Sequence, residues 1–161
     1  MRVIKDRQIV DDGWELIGAD APVPPGRDVI VGVDRWNSER ESYRSRSGQV
    51  GVKLSSDDLP DQIQALASVP LVAIEFPKFT DGRGYSSARL LRERLGYKGE
   101  MRAVGEVLRD QLFYMARCGF DSFALKAGKD IEGALAAFDD FSVSYQPGAD
   151  DTRPLFRRVQ R

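Results

Sequence analysis

Apolar and polar positions alternate along the chain in short bursts that recur at near-regular intervals. Val3 to Val10 and Trp14 to Ile17 are brief apolar segments separated by Asp11-Asp12-Gly13, a turn signal, and Pro22 to Gly26 interrupts the pattern before the next run. This predicts a hairpin extension over residues 1–26, followed by a single α/β domain over 27–161. Within that domain Asp28–Val33, Val50–Leu54, Leu71–Phe76, Met101–Gly105, Ser122–Lys126 and Ser142–Tyr145 read as strands. Their starts lie about 20 to 30 residues apart, the interval that a strand, a helix and a return need in a βα unit.

Helical periodicity fills several of the gaps. Leu59 to Ala67 follows the capping candidates Ser55, Ser56 and Asp57, aligns Leu59, Ile63 and Leu66, and meets Pro70. Ser86 or Ser87 can cap Ala88–Leu95, which aligns Leu91 with Leu95 before Gly96. Val107 to Arg117 turns Leu108, Leu112 and Met115 inward and stops at Gly119, and Ile131 to Phe138 does the same with Leu135 and Phe138. Helix after strand predicts repeated right-handed βα units, forming a parallel sheet or a partial TIM-like barrel.

Composition narrows the chemistry. The chain has 161 residues, 42% hydrophobic and 30% charged, a globular balance that suits one core. No stretch approaches the roughly 20 apolar residues of a membrane span. The start, Met1 to Asp6, lacks the apolar centre of a signal peptide, so a cytoplasmic location without a membrane partner is expected. There is no histidine, which removes Ser-His-Asp and Cys-His catalysis and histidine metal or haem sites. Cys118 is the only cysteine, too few for a disulfide, a thiolate zinc site or a four-cysteine cluster within one chain. No metal and no cofactor are expected. The net charge of −1 gives no field for nucleic acid, although Arg153, Arg157, Arg158 and Arg161 make the end locally basic, which reads as a solvated tail.

One stretch is unusually dense in distinctive residues. It runs Glu75-Phe76-Pro77-Lys78-Phe79-Thr80-Asp81-Gly82-Arg83-Gly84-Tyr85-Ser86, continues through Ala88-Arg89-Leu90-Leu91-Arg92 and Gly96-Tyr97, and extends to Arg102–Gln111 and Arg117-Cys118-Gly119-Phe120-Asp121. Across residues 71–126 the chain resembles a bacterial family of uncharacterised proteins, often described only as oxidoreductases. Members of that family are commonly encoded beside assimilatory sulfite or nitrite reductase and phosphoadenylyl-sulfate reductase. The resemblance implies a role in sulfur assimilation, with a reductase or its electron donor as partner. It transfers no catalytic residue.

The same stretch has a reading of its own. If Leu71–Phe76 is a strand and a helix follows, Lys78 to Ser86 is a loop at the strand's C-terminal end, where parallel α/β folds place ligands. Gly82 and Gly84 permit close backbone approach, Ser86 stands at the helix start, and Lys78, Arg83, Arg89 and Arg102 supply positive charge for a small anion such as sulfate, sulfite or phosphate. The competing reading is an ordinary Asp81-Gly82 turn, with Arg83 tied to Asp81 or Glu75.

Charges also interrupt the apolar strands, at Lys53, Glu75, Arg102 and Lys126. Strand ends converge at one mouth of a parallel sheet, so these groups form a cluster there, either catalytic or a structural ion-pair network. In the catalytic version Glu75 or Glu106 accepts a proton and Lys126 acts as acid or nucleophile. The helix over 107–117 offers a partner surface instead: Phe113, Tyr114 and Met115 exceed what one narrow inward stripe needs, beside a polar face of Arg109, Asp110, Gln111 and Arg117, and a homodimer or a reductase would cover this surface, unless the helix is buried on two sides in its own domain. Cys118 reads as buried and inert.

Two functions therefore stand. One is an accessory protein of sulfite or sulfate reduction that binds a reductase or a small anion. The other is a small TIM-like enzyme acting on a phosphorylated or sulfur-containing anion through Glu75, Lys78, Arg83, Arg102, Glu106 and Lys126. Convergence of those six in one enclosed pocket favours the enzyme, and dispersal favours the accessory role.

Overall fold

The computed structural model describes residues 1–78, 81–126, 128–136 and 138. Phe79, Thr80, the strand expected over Ser142–Tyr145 and the four tail arginines lie outside the described residues. The architecture is mixed α/β, an eight-stranded curled half-barrel sheet with helices. The strands are β1 (Arg2–Lys5), β2 (Gln8–Asp11), β3 (Glu15–Leu16), β4 (Val29–Gly32), β5 (Val50–Leu54), β6 (Leu71–Phe76), β7 (Glu100–Gly105) and β8 (Ser122–Phe123). Their order is β2-β1-β8-β7-β6-β5-β4-β3. From β3 to β8 every neighbouring pair is parallel, while β1 is antiparallel to both β2 and β8.

The link between β2 and β3 requires the curl. These two strands are the opposite edges of the sheet, yet only Asp12, Gly13 and Trp14 separate them. Four extended residue steps reach about 14 Å, whereas the edges of a flat eight-stranded sheet stand about 34 Å apart. The link is thus a chord across the concave face. Trp14 packs there against Ile30, Leu71, Ala73 and Val104.

The alternation along each strand sorts the residues between two faces. Val29, Val31, Val50, Val52, Leu54, Val72, Ile74, Phe76, Met101, Ala103 and Phe123 join the main core. The helices α1 (Val33–Tyr43), α2 (Arg83–Arg89), α3 (Leu112–Cys118) and α4 (Ile131–Ala136) cover that face with Trp36, Ala88, Leu112, Met115, Ile131 and Ala134. The alternate positions, Lys53, Glu75, Glu100 and Arg102, fall on the concave side with the Trp14 cluster.

Three expectations change. The hairpin turn lies at Asp6-Arg7, where both residues have positive φ (51° and 62°), the backbone of a two-residue turn that matches strand twist. Asp11 is instead paired with Arg2, and Trp14 to Ile17 crosses to the far edge beside β4. Second, no α-helix spans Leu59–Ala67. Two single 3-10 turns, Pro60–Gln62 and Leu66–Ser68, flank an extended Ile63 and a left-handed Ala65. The backbone of this segment bonds to α1: Trp36 Nε1 donates to the Gln64 carbonyl (2.8 Å), and Asn37 takes both the Gln62 carbonyl and the Gln64 N–H. The βα alternation is therefore interrupted between β5 and β6. Third, α2 begins at Arg83, so Ser86 and Ser87 lie inside the helix and the preceding loop is shorter than expected; a π turn over Leu90–Arg94 follows, and Gly96 (φ 67°) ends it.

Candidate functional site

Parallel strands β4 to β8 deliver their C-terminal ends to one mouth. Glu106 follows β7, where Gly105 has φ 87° and a Cβ would lie 2.5 Å from the Phe76 carbonyl oxygen. The reversal lets the Glu106 N–H donate to that oxygen at 2.7 Å, fixing Glu106 beside the end of β6. Its carboxylate pairs with Lys126, beyond β8. One strand pair over, Lys53 and Glu75 approach to 3.6 Å on the concave side, both partly exposed. Glu75, Glu106 and Lys126 thus stand at the expected edge, each already engaged with an opposite charge.

The glycine-rich loop is organised by its own acid. Asp81 accepts from the Arg83 backbone N–H (3.0 Å), Nε (3.1 Å) and Nη2 (2.7 Å), and Arg83 Nη1 reaches Asp57 at 3.0 Å. The Arg83 guanidinium and N–H hold the Asp81 carboxyl down at about 2. Arg83 is therefore neutralised from two sides. Gly82 has φ −86° and needs no special backbone freedom. Gly84 serves packing: a Cβ there would lie 2.6 Å from the Phe76 ring, so the glycine seats α2 against β6. Lys78 and Ser86 are exposed, and Arg89 is half-buried with Glu93 at 3.4 Å.

Arg102 does not belong to the mouth. It sits in the lower half of β7, 3% exposed, in register with Ala73 and Ser122. Its Nη2 donates to Asp12 (2.9 Å) and Glu100 (2.8 Å), and its Nε donates to Ser122 (3.0 Å). Lys5 adds a contact to the other Glu100 oxygen at 2.9 Å. Burial pushes the Glu100 pKa up, but the Lys5 hydrogen bond and the Arg102 charge outweigh it and leave it lowered. A guanidinium at mid-strand cannot reach a ligand above the strand ends, because two carboxylates have claimed it. Sequence reading missed Asp12, Glu100 and Asp57. Asp12 read as a turn residue, and nothing local signals its partner 90 residues away.

On the outer face, α3 is shorter than expected and starts at Leu112 after a 3-10 turn over Arg109–Gln111. Tyr114 is 51% exposed and packs on Tyr85 (5.0 Å between ring centroids), which packs on Phe76 (5.1 Å). Arg109 is exposed, and Phe113 and Arg117 are half-buried. Cys118 is fully buried, and burial pushes its thiol pKa up, as expected of an inert cysteine. No group of histidine, cysteine, aspartate or glutamate suited to a metal ion occurs among the described residues, and no described helix is long and apolar enough to cross a membrane.

These features define an α/β half-barrel whose concave face carries buried and partly exposed ion pairs. The chain belongs to the family described as "Bacterial protein of unknown function (DUF934)", which matches residues 51–156, well over half its length. The match contains the whole of the dense stretch over 71–126. No curated protein matches the chain.

Proposed function

We propose that the protein is an accessory factor of bacterial assimilatory sulfur reduction that docks on a reductase or its electron donor. The pathway rests on the resemblance carried by residues 71–126. The observation that favours docking over catalysis is the pairing of the charged groups. Glu75, Arg83, Glu106 and Lys126 each face an opposite charge within the chain, and Arg102 is buried elsewhere. They do not converge on one point, as an acid, a base and an oxyanion holder must. The docking face is the outer surface of α2 and α3, where Tyr114 stands exposed on Tyr85 and Arg109 is exposed in the turn before α3. Exposed tyrosine and arginine are the residue types that carry most binding energy at interfaces.

The Lys53–Glu75 pair at the mouth supports the second reading, a small TIM-like enzyme acting on an anionic metabolite, because it is a partly exposed charge pair near the strand ends, where such folds place ligands. Complementation of a deletion strain separates the two. Growth on sulfate or sulfite should fail while growth on cysteine persists, and equal growth on all three rejects the pathway. Tyr114→Ala with Arg109→Glu should then lose rescue, whereas Lys53→Ala with Glu75→Gln should keep it. The reverse pattern would establish the enzyme reading.

A further inference from the structure

At the edge where the parallel strands begin, opposite the mouth, a cavity of about 430 Å³ lies between the C-terminal half of α1 and the start of β5, lined by Trp36, Arg40, Tyr43, Arg44, Arg46 and Val50. That volume falls within the range of small-molecule sites, about 300–1,000 Å³. Its wall is built by Gly48 at φ 95°. A Cβ there would lie 2.4 Å from the Arg27 carbonyl oxygen and 3.0 Å from Arg46 Nη1, so glycine alone lets the loop close on Arg27 with Arg46 laid across it.

The charge in this cavity is not balanced. Arg46 Nη2 donates to the carbonyls of Pro24 (2.7 Å) and Arg27 (3.0 Å), and Nη1 reaches that of Gln49 (3.4 Å). Neutral acceptors hold the guanidinium in place without cancelling its charge, and no carboxylate pairs with it among the described residues. Arg40 and Arg44 share a single carboxylate, Glu41, at 3.2 and 3.4 Å, which is itself 67% exposed. Three guanidinium groups thus line the cavity beside Glu41, while Asp28 accepts from the Gln49 N–H at 2.8 Å, which leaves an excess of positive charge. Beside them the stacked rings of Trp36 and Tyr43, 6.1 Å apart, and Val50 supply apolar surface. Tyr43 donates to Glu39, and burial first, then that carboxylate, pushes its pKa up to about 12, so it stays neutral beside an anion.

We propose that this cavity binds a phosphomonoester carried on a flat ring, of about mononucleotide size. The surplus of guanidinium over carboxylate suits an anion, and guanidinium forks match the oxygens of a phosphate. The half-buried face of Tyr43, backed by the buried Trp36, takes the ring. The site is separate from the mouth and from the α2–α3 surface, and it stands whether or not the docking role does.

Isothermal titration of the full chain with 5′-AMP, adenosine and inorganic phosphate tests it. AMP binds at one site, about tenfold or more tighter than either fragment, because charge and ring act together. Arg44→Glu, at a side chain 74% exposed and bonded only to Glu41, weakens AMP by about tenfold at an unchanged melting temperature. Glu41→Gln tightens it several-fold by removing the competing carboxylate. AMP binding no tighter than phosphate or adenosine, no saturable AMP binding at millimolar concentration, or an unchanged affinity in folded Arg44→Glu overturns the proposal.

Discussion

Two charged regions lie along this sheet, one within its concave side and one at its mouth, and they differ in everything but residue type. The lower one joins Lys5, Glu100, Arg102, Asp12 and Ser122; Arg102 and Asp12 are 4% and 6% exposed in their side chains, and the charges balance two against two. The upper one, at the mouth, consists of separate pairs, Lys53 with Glu75, Glu106 with Lys126 and Arg83 with Asp57 and Asp81, each with at least one side chain a third or more open to water. Solvent makes the difference. In the lower network Asp12, Glu100 and Arg102 depend on one another, since water reaches only Lys5 freely, so removing Arg102 leaves a buried ion. At the mouth water substitutes for any lost partner, so the pairs contribute little to stability and remain free to exchange. The lower network also has a mechanical task. Asp12 is the first residue of the chord from β2 to β3, and its bond to Arg102 pins that chord, with Trp14, into the concavity.

The largest predicted effect comes from breaking the lower network. Arg102→Ala leaves Asp12 buried without a cation and should destabilise the fold by about 3–5 kcal/mol, lowering the melting temperature by roughly 10 °C. Trp14 emission should shift to the red as the chord loosens. A melting temperature within a degree or two of wild type would mean that the network is dispensable and that the contrast with the mouth is mistaken.

Next comes the junction where β7 passes into the mouth. Gly105→Ala places a side chain at positive φ and drives its Cβ to 2.5 Å from the Phe76 carbonyl, for a loss of about 2–4 kcal/mol in chemical denaturation. An unperturbed midpoint would show that the turn can relax and that Glu106 is not fixed by it.

The smallest effect belongs to the mouth itself. Arg83→Ala should leave the unfolding midpoint unchanged, while an NMR titration of the Asp81 carboxyl moves from about 2 towards the ordinary value near 3.9. Because the folded pKa is depressed, whatever stability the pair lends is complete above about pH 4 and is lost as pH falls towards 2. A large drop in stability at neutral pH would make the mouth as structural as the network beneath it.

How much of this was legible depends on how local each cause is. Val50–Leu54 and Leu71–Phe76 form strands over the residues expected, because β-branched and apolar side chains buried on both faces leave few alternatives. Charges inside those strands were equally visible, but their heights were not. Arg102 and Glu106 are four residues apart, yet one ends in a buried network and the other at the open edge. The longest of the described helices, α1, is not singled out by its sequence, since only Val33 and Trp36 of its eleven residues are buried and the rest is largely polar. Conversely, Leu59–Ala67 has helical spacing but exposes Leu59 and gives its backbone groups to Trp36 and Asn37.

The sequence by itself determined the class of fold, the parallel run of strands from β4 to β8 and the absence of histidine chemistry. These follow from alternation, spacing and composition, which act over a few residues at a time. Only the tertiary structure decided that three residues bridge the two edges of the sheet, that Asp12 answers Arg102 and that Asp57 and Asp81 take Arg83. The partner of a charge is set by which strands lie side by side and by how far the sheet curls, and both depend on burying the whole core at once.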